Sequence, residues 1–212
     1  MRRNGYLLIL FALVVSCNSH RIKIACVGNS ITEGSGLKNE SENSYPAFLD
    51  RLLGKDYSVL NCGRGGTTAV KDGDFPYWSC NEFNNVEEYC PDIIIIKLGT
   101  NDSKPQNWNP EKFERDYQAL TDTFRNLPSR PKIYLCLPVP VYRTAWGIND
   151  STLIHGVIPA IERIGERNRY TIIDLYHPLL NQPGNFSDGV HPNEIAFERM
   201  AEIIASEIRK KS

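Results

Sequence analysis

Short apolar runs alternate with amphipathic stretches along the chain, and this alternation predicts strands separated by helices. The apolar runs predict five strands, at residues 21–27, 57–61, 92–98, 132–137 and 170–175. Residues 93–96 are consecutive isoleucines, and such a β-branched run is typical of a parallel strand buried on both faces. Because strands that alternate with helices form parallel sheets, the pattern predicts an α/β sandwich with a five-stranded, mostly parallel sheet.

Apolar positions spaced three to four residues apart predict the helices between these strands. They cover residues 44–53, 109–127, 150–168 and 192–210. The second of these helices has the clearest start, because Asn109 is a favourable N-cap and Pro110 suits the first helical position. Two segments, 71–85 and 138–149, remain as long loops, and long loops in a compact domain are often functional.

The start of the chain has the pattern of a targeting segment. A basic tetrapeptide precedes the apolar run 6–15, which is too short to span a bilayer comfortably. The run ends in Ser16-Cys17, and small or aliphatic residues before a cysteine resemble the lipobox of bacterial lipoproteins, which are cut before the cysteine and acylated on its thiol. We therefore expect the following division of the chain: a lipoprotein signal peptide over 1–16, lipidation at Cys17, a linker over 17–21, and one domain over 22–212.

An ordinary secretory signal, cut near residues 16–19 with Cys17 incidental, is the alternative. Either signal exports the protein. A lipid anchor would hold it on a bacterial membrane, periplasmic or at the cell surface, while the domain stays in water.

The composition is that expected of one soluble domain, and it argues against two classes of binding partner. The 212 residues are 41% hydrophobic and 23% charged, which is ordinary for a globular protein with a real core. A net charge of -1 argues against a nucleic-acid partner, which would favour a strong positive excess. Neither a CxxC pair nor a histidine cluster with zinc spacing occurs, so we expect no metal site.

The cysteines allow a disulfide but do not require one. Of the six cysteines, five follow Cys17, so at least one of these stays free. Cys80 and Cys90 flank a short segment and could pair, which the sequence leaves open. The other three, in or at the end of predicted strands, are expected to be small buried side chains: Cys26, Cys62 and Cys136.

Polar patches follow the first three predicted strands directly, and a fourth precedes the last helix. These patches are residues 28–32, 61–67, 99–102 and 188–192. Ligands of open parallel sheets bind beyond the carboxyl ends of the strands. We therefore expect all four patches, with the loop after the fourth strand, at one edge of the sheet.

Ser30 and His191 are the candidate nucleophile and base. A serine hydroxyl becomes nucleophilic when a base removes its proton. Asp188 lies three residues before His191, with Gly189 between, and such a turn can bring the carboxylate to the imidazole Nδ1. Each also has a simpler interpretation: Ser30 as the cap of the following helix, and Asp188 as an acceptor for backbone N–H groups of a surface turn.

Asn101 and Gly66 are the candidate donors to an oxyanion. Asn101 can offer its side-chain amide, and Gly66 can offer a backbone N–H while letting the chain approach a substrate closely. Both residue types are also standard in turns, so neither is specific by itself.

Taken together, these residues make the chain resemble the SGNH hydrolases, the superfamily that includes the GDSL esterases. The four blocks of that family carry Ser, Gly, Asn and His in this order, with Asp three residues before His. They match here at Ser30, Gly66, Asn101, Asp188 and His191. The resemblance implies a flavodoxin-like three-layer α/β/α sandwich and a serine hydrolase with no metal or other cofactor. It also implies a Ser–His–Asp triad and an oxyanion hole made by the Ser30 N–H, Gly66 and Asn101.

The first block departs from the family pattern. It is Gly-Asn-Ser here, whereas the family usually has Gly-Asp-Ser. Asn29 keeps an acceptor oxygen but loses the charge, so we expect weaker hydrogen bonding in the turn that holds Ser30. In the second block Gly63 is a rival to Gly66. Gly66 is preferred because it directly precedes Thr67, as in the family pattern.

The substrate follows from a weaker likeness. Residues 96–108 are similar to carbohydrate O-acetylesterases, including those acting on acetylated xylan, rhamnogalacturonan or sialic acid. Aromatic residues in 75–78, 108 and 142–146 could face sugar rings, or could pack under the loops, and Arg64 or Arg143 would suit a carboxylated sugar. We expect an esterase that removes acetyl groups from a small-molecule or glycan ester. The alternatives are a lipid esterase, lysophospholipase or thioesterase of the same superfamily, and a non-catalytic glycan-binding lipoprotein.

Overall fold

The computed structural model describes residues 21–210, and a parallel sheet lies at the centre of this part of the chain. Five strands form the sheet: β1 (Ile22–Gly28), β2 (Tyr57–Gly63), β3 (Ile93–Lys97), β4 (Lys132–Cys136) and β5 (Thr171–Ile173). They are ordered β2-β1-β3-β4-β5, and every neighbouring pair is parallel. The predicted α/β class and the five strands are confirmed. The predicted signal peptide and Cys17 lie outside the described residues.

Helices and short helical turns connect the strands. The α-helices are α1 (Ser30–Glu33), α2 (Glu40–Asn43), α3 (Tyr45–Leu53), α4 (Asn81–Tyr89), α5 (Pro110–Arg125), α6 (Asp150–Thr152), α7 (Ile158–Asn168) and α8 (Glu194–Arg209). A π-helical turn (Leu153–Val157) joins α6 to α7. Turns of 3-10 helix cover Tyr77–Ser79, Asn101–Ser103, His177–Leu179 and Pro183–Asn185.

The sheet separates two apolar cores, which makes the fold a three-layer α/β/α sandwich. Ile94 and Ile96 of β3 face the core that also contains apolar residues of α4, α5 and α7. Ile93 and Ile95 face the other core, with residues of α3 and α8. The run of isoleucines is therefore buried on both faces, as its composition predicts.

Two of the longer helical segments differ from the sequence expectation. Part of the predicted loop 71–85 belongs to α4, whose sequence is so polar that Val86 is its one buried residue. The predicted helix 150–168 is interrupted by the π-helical turn. Pro159, in the first turn of α7, has no backbone N–H and its ring displaces the carbonyl of the preceding turn, so regular α-helical bonding cannot continue through it.

The cysteines are all free in the described part of the chain. Cys80 is buried and Cys90 is exposed, and no disulfide joins them. The three cysteines of the strands are buried as expected: Cys26, Cys62 and Cys136. Between residues 21 and 210 no helix combines the length and the apolar character that crossing a bilayer requires.

Candidate active site

The predicted site residues come together at the carboxyl edge of the sheet. Ser30 begins α1 directly after β1, Gly66 follows β2, and Asn101 follows β3. These three residues and His191 line one cavity of about 290 Å³. The edge therefore gathers polar groups from segments far apart in the chain, as the parallel topology predicts.

A continuous hydrogen-bonded chain links an aspartate to the histidine and the serine that line this cavity. The Nδ1 atom of His191 lies 2.7 Å from Asp188 Oδ2, and its Nε2 atom lies 2.9 Å from Ser30 Oγ. This is the geometry in which an imidazole can remove the hydroxyl proton while the carboxylate fixes the ring and its tautomer.

The turn from Asp188 to His191 holds the carboxylate in place. Asp188 Oδ1 accepts hydrogen bonds from the backbone N–H groups of Val190 (2.8 Å) and His191 (2.7 Å). Gly189 has a φ of +85°, and a Cβ there would lie 2.7 Å from the Cβ of Arg143, so the turn needs glycine. Burial alone raises the pKa of Asp188, but these N–H donors and the imidazole outweigh it and lower the pKa below its usual value.

A second turn of the same construction lies after β5. Asp174 Oδ1 accepts from the N–H groups of Tyr176 (2.9 Å) and His177 (3.0 Å), and His177 Nδ1 lies 2.8 Å from Asp174 Oδ2. The His177 side chain is 69% exposed, against 17% for His191. The Asp174–His177 pair was not a candidate from the sequence, although the spacing Asp-x-x-His is the same in both turns. What distinguishes His191 is Ser30 opposite its second nitrogen.

The serine turn depends on local capping and on a close approach by β2. Asn29 caps α1, and its Oδ1 accepts from the Ile31 N–H at 3.1 Å. Its Nδ2 is buried and has no hydrogen-bond partner. Gly63 packs beneath the turn, where a Cβ would lie 2.1 Å from the Glu33 nitrogen. Gly63 therefore has a packing role, whereas Gly66 lines the cavity.

Gly66 and Asn101 belong to two different segments of the chain, and both line the cavity. Gly66 has a φ of +81°, which side chains other than glycine rarely adopt. The Asn101 side chain is 4% exposed, and its Nδ2 donates one hydrogen bond to the carbonyl of Thr67 at 3.0 Å. Because an amide nitrogen carries two N–H groups, one remains for a bound oxygen.

Two buried ionisable side chains lie near this edge, and neither was a candidate site residue from the sequence. Burial lowers the pKa of Lys97 to about 7, and its Nζ lies 3.4 Å from Thr100 Oγ1. Burial raises the pKa of Asp102 to about 6, although N–H donors from Val70 and Ala69 oppose the rise. For Lys97, its position at the end of a strand predicted to be buried is the one indication of burial in the sequence.

Of the aromatic residues expected near the edge, Trp146 lines the cavity. Its side chain is 62% exposed, and its ring centroid lies 5.5 Å from that of His191. Two of the others pack against aromatic rings: Tyr142 lies against Phe186, and Trp108 against Phe113. Neither of the arginines considered for a carboxylated sugar, Arg64 and Arg143, is among the cavity-lining residues.

Comparison with known proteins assigns the chain to a family. A model of the GDSL-like lipase/acylhydrolase family matches residues 26–198. The chain is 37% identical over 207 residues to an acetylxylan esterase from Xylanibacter ruminicola, an alignment that covers 89% of this chain. It spans only 43% of the length of that esterase.

Solved structures show the same fold at low sequence identity. A carbohydrate acetylesterase from Sinorhizobium meliloti superposes with a TM-score of 0.69 at 17% identity, covering 90% of this chain and 99% of that one. An aryl esterase from M. smegmatis gives 0.68 at 18% identity, covering 89% and 99%.

An α/β/α sandwich with an Asp–His–Ser chain at its carboxyl edge defines the general class, that of the SGNH hydrolases. The protein belongs to the GDSL-like lipase/acylhydrolase family. The resemblance inferred from the sequence motifs is thereby confirmed, and the acetylxylan esterase relative supports its carbohydrate esterase branch.

Proposed function

We propose that this protein is a serine esterase that hydrolyses short acyl esters, chiefly acetyl groups carried by carbohydrates. The observation that carries the proposal is the unbroken chain from Asp188 through His191 to Ser30, in a cavity that Gly66 and Asn101 also line. Family membership and the name of the acetylxylan esterase relative support the same chemistry.

The proposed reaction begins with attack by Ser30. Its Oγ forms a bond to the ester carbonyl carbon while His191 Nε2 takes the hydroxyl proton. The tetrahedral intermediate then loses the alcohol: its C–O bond breaks, and His191 gives the proton to the leaving oxygen. Asp188 stays ionised throughout and stabilises the imidazolium.

Water completes the cycle. His191 takes a proton from water, whose oxygen attacks the acyl carbon of the acetyl-enzyme. The bond to Ser30 Oγ breaks, the serine recovers its proton, and acetate leaves. In both tetrahedral intermediates the negative oxygen accepts hydrogen bonds from the Ser30 and Gly66 N–H groups and from Asn101 Nδ2. Such donors each contribute about 2.7–4 kcal/mol to transition-state stabilisation.

The cavity suits an ester whose alcohol part contains a ring. Trp146, which is 62% exposed, lines the cavity beside His191. An indole face offers apolar contact to the C–H face of a sugar ring. The carbohydrate assignment also draws on the relative that is named an acetylxylan esterase.

Export with a lipid anchor at Cys17 remains part of the proposal. Its support is the sequence alone: an apolar run that ends at a cysteine after small or aliphatic residues. Metabolic labelling with a fatty-acid analogue, compared between the natural chain and a Cys17→Ser variant, tests it directly. Label on both chains, or on neither, contradicts an anchor at this residue.

The enzymatic proposal is tested with aryl acetate, aryl octanoate and acetylated xylan, on the purified protein and its Ser30→Ala variant. We expect serine-dependent release of acetate from aryl acetate and xylan, and little cleavage of octanoate. Preference for octanoate would favour a lipid esterase or thioesterase. Glycan binding with no turnover of any ester would favour the non-catalytic alternative.

A further inference from the structure

Asp102 joins the two segments that carry the candidate oxyanion donors. It directly follows Asn101 and is completely buried. Its Oδ1 accepts two backbone hydrogen bonds, from Ala69 N (2.8 Å) and Val70 N (3.0 Å). These donors are more than thirty positions away in the chain and belong to the segment that begins after Gly66.

The side chain of Asn101, the neighbouring residue, also bonds this segment, but it donates its hydrogen bond instead of accepting one. Asn101 Nδ2 donates to the carbonyl of Thr67 at 3.0 Å, while Asp102 accepts from the two residues that follow Thr68. Two consecutive side chains therefore hold residues 67–70 at three points. Because Gly66 is bonded covalently to Thr67, these contacts also fix where its N–H lies relative to the Asn101 amide.

We propose that Asp102 is a positioning residue that sets the separation between the two oxyanion donors, Gly66 N–H and Asn101 Nδ2. The inference rests on the proposed esterase function. Asp102 is not among the residues that line the cavity, so it acts through the segments it joins.

The Asp102 carboxylate is better suited to holding the two segments rigidly than to stabilising the fold. Asp102 Oδ2 is buried and has no hydrogen-bond partner, so the carboxylate is desolvated without full compensation. Hydrogen bonds to an ionised acceptor are roughly twice as strong as neutral ones, which makes the two N–H contacts stiff. Stiffness matters here because a misplacement of about 1 Å at a reacting centre can cost about a hundredfold in rate.

Asp116 provides a matched control. It is also a buried aspartate, 2% exposed, and its Oδ2 accepts from the N–H of Lys71 at 3.0 Å. Lys71 is the residue after Val70, so Asp116 anchors the same loop one position further from Gly66. It comes from α5, and its carboxylate accepts from Lys71 N and Arg115 Nε, neither of which belongs to the Asn101 turn.

The test measures kcat and KM for aryl acetate, and affinity for an alkyl boronic acid that forms a tetrahedral serine adduct. We expect Asp102→Leu to lower kcat about 10²-fold, the effect of losing an oxyanion donor, with KM within about twofold. Boronate affinity should fall by a similar factor. Asp102→Asn keeps an acceptor oxygen and should restore kcat to within about fivefold. Asp116→Leu should lower the melting temperature and leave kcat unchanged.

Rates are compared per active site, counted by titration with a serine-reactive phosphonate. If Asp102→Leu does not fold, Asp102→Ser takes its place, since its hydroxyl is too short to reach both N–H groups. A kcat within twofold of wild type in either variant would overturn the inference. The inference would also be overturned if Asp102→Asn had a kcat as low as that of Asp102→Leu. The same holds if Asp102→Leu and Asp116→Leu lowered kcat equally. A wild-type protein inactive on every ester would refute the proposed function and this inference with it.

Discussion

The indole of Trp146 lies beside the imidazole of His191, with ring centroids 5.5 Å apart and planes inclined at 60°. Trp146 has a φ of +53° and is followed by Gly147 at +82°, so the backbone turns sharply to place the indole at the mouth of the cavity. A large exposed aromatic held beside the proposed base is well placed to contact the alcohol part of an ester.

We therefore expect Trp146→Ala to distinguish sugar esters from simple ones. Loss of a stacking face should raise KM for acetylated xylo-oligosaccharides about tenfold, since aromatic contacts contribute about 0.5–1.5 kcal/mol beyond area burial. For ethyl acetate, whose alcohol has no ring, KM should change less than threefold. Trp108→Phe, which alters an indole outside the cavity, is the control. Equal effects on both substrates would contradict a sugar-contacting role.

The two Asp-x-x-His turns allow a direct comparison of their histidines. His191→Ala should lower kcat about 10⁴–10⁶-fold, the scale seen when a triad member is removed. His177→Ala removes the same contact to an aspartate but has no serine opposite it, so kcat should stay within twofold. Steady-state assays on aryl acetate measure both. Comparable losses in the two variants would show that His191 has no special role.

Asn29 should affect both stability and rate. Asn29→Ala removes the N-cap of α1, which should cost about 0.5–2 kcal/mol of unfolding free energy and loosen the turn that holds Ser30. We expect kcat to fall about tenfold, a loss of about 1.4 kcal/mol. Asn109 caps α5 in the same way, accepting from Lys112 N at 2.9 Å. Asn109→Ala should therefore destabilise the protein in urea without lowering kcat.

Gly66 can be compared with another glycine that has a positive φ. Gly66→Ala forces a side chain into a φ of +81°, which costs about 1–2 kcal/mol and should shift the N–H proposed as an oxyanion donor. Gly54 has a φ of +77° at the end of α3, and a Cβ there meets nothing within 4 Å. Gly54→Ala should also lose stability, because with a ψ of −164° its backbone conformation is almost confined to glycine. Only Gly66→Ala should lose catalytic rate, and a rate unchanged by it would argue against this donor.

Stability should rise with pH above neutrality because of Lys97. Burial lowers its pKa to about 7, whereas an unfolded lysine titrates near 10.4. Between these values the unfolded chain binds more protons than the folded one, so unfolding becomes less favourable as pH rises. The gain should be about 2 kcal/mol from pH 7 to pH 9.

Urea unfolding at pH 7, 8 and 9 measures this gain. Lys97→Met has a side chain of similar size without a charge. Its unfolding free energy should therefore not show this gain between pH 7 and pH 9. Lys55→Met, at an exposed position, should retain it. Parallel pH curves for wild type and Lys97→Met would mean that the lysine stays charged when buried.

Local sequence patterns were enough to predict the strands and the longest helices. Other features depend on contacts that such patterns do not mark. The isoleucines of β3 and the cap at Asn109 follow from periodicity and helix chemistry, so both were predictable. The π-helical turn before Pro159 and the polar helix α4 were not, because the first depends on one ring and the second buries a single side chain.

The candidate active site likewise contains residues that could be identified from the sequence and residues that could not. Motif order was enough to name Ser30, Gly66, Asn101, Asp188 and His191, and topology was enough to expect them at one edge. Asp102 could not be assigned a role, because its partners at Ala69 and Val70 are backbone N–H groups that no sequence pattern marks. The burial of Lys97 depends likewise on what packs around it.

The Asp188–His191 turn also bears on how the protein reaches its working state. The carboxylate and the imidazole belong to four consecutive residues, so they can meet as soon as this turn forms. The Ser30 hydroxyl lies 161 positions away and reaches His191 only when β1 and the layer containing α8 have assembled. During refolding, recovery of esterase turnover would therefore mark the completion of long-range structure, later than any signal from the turn itself.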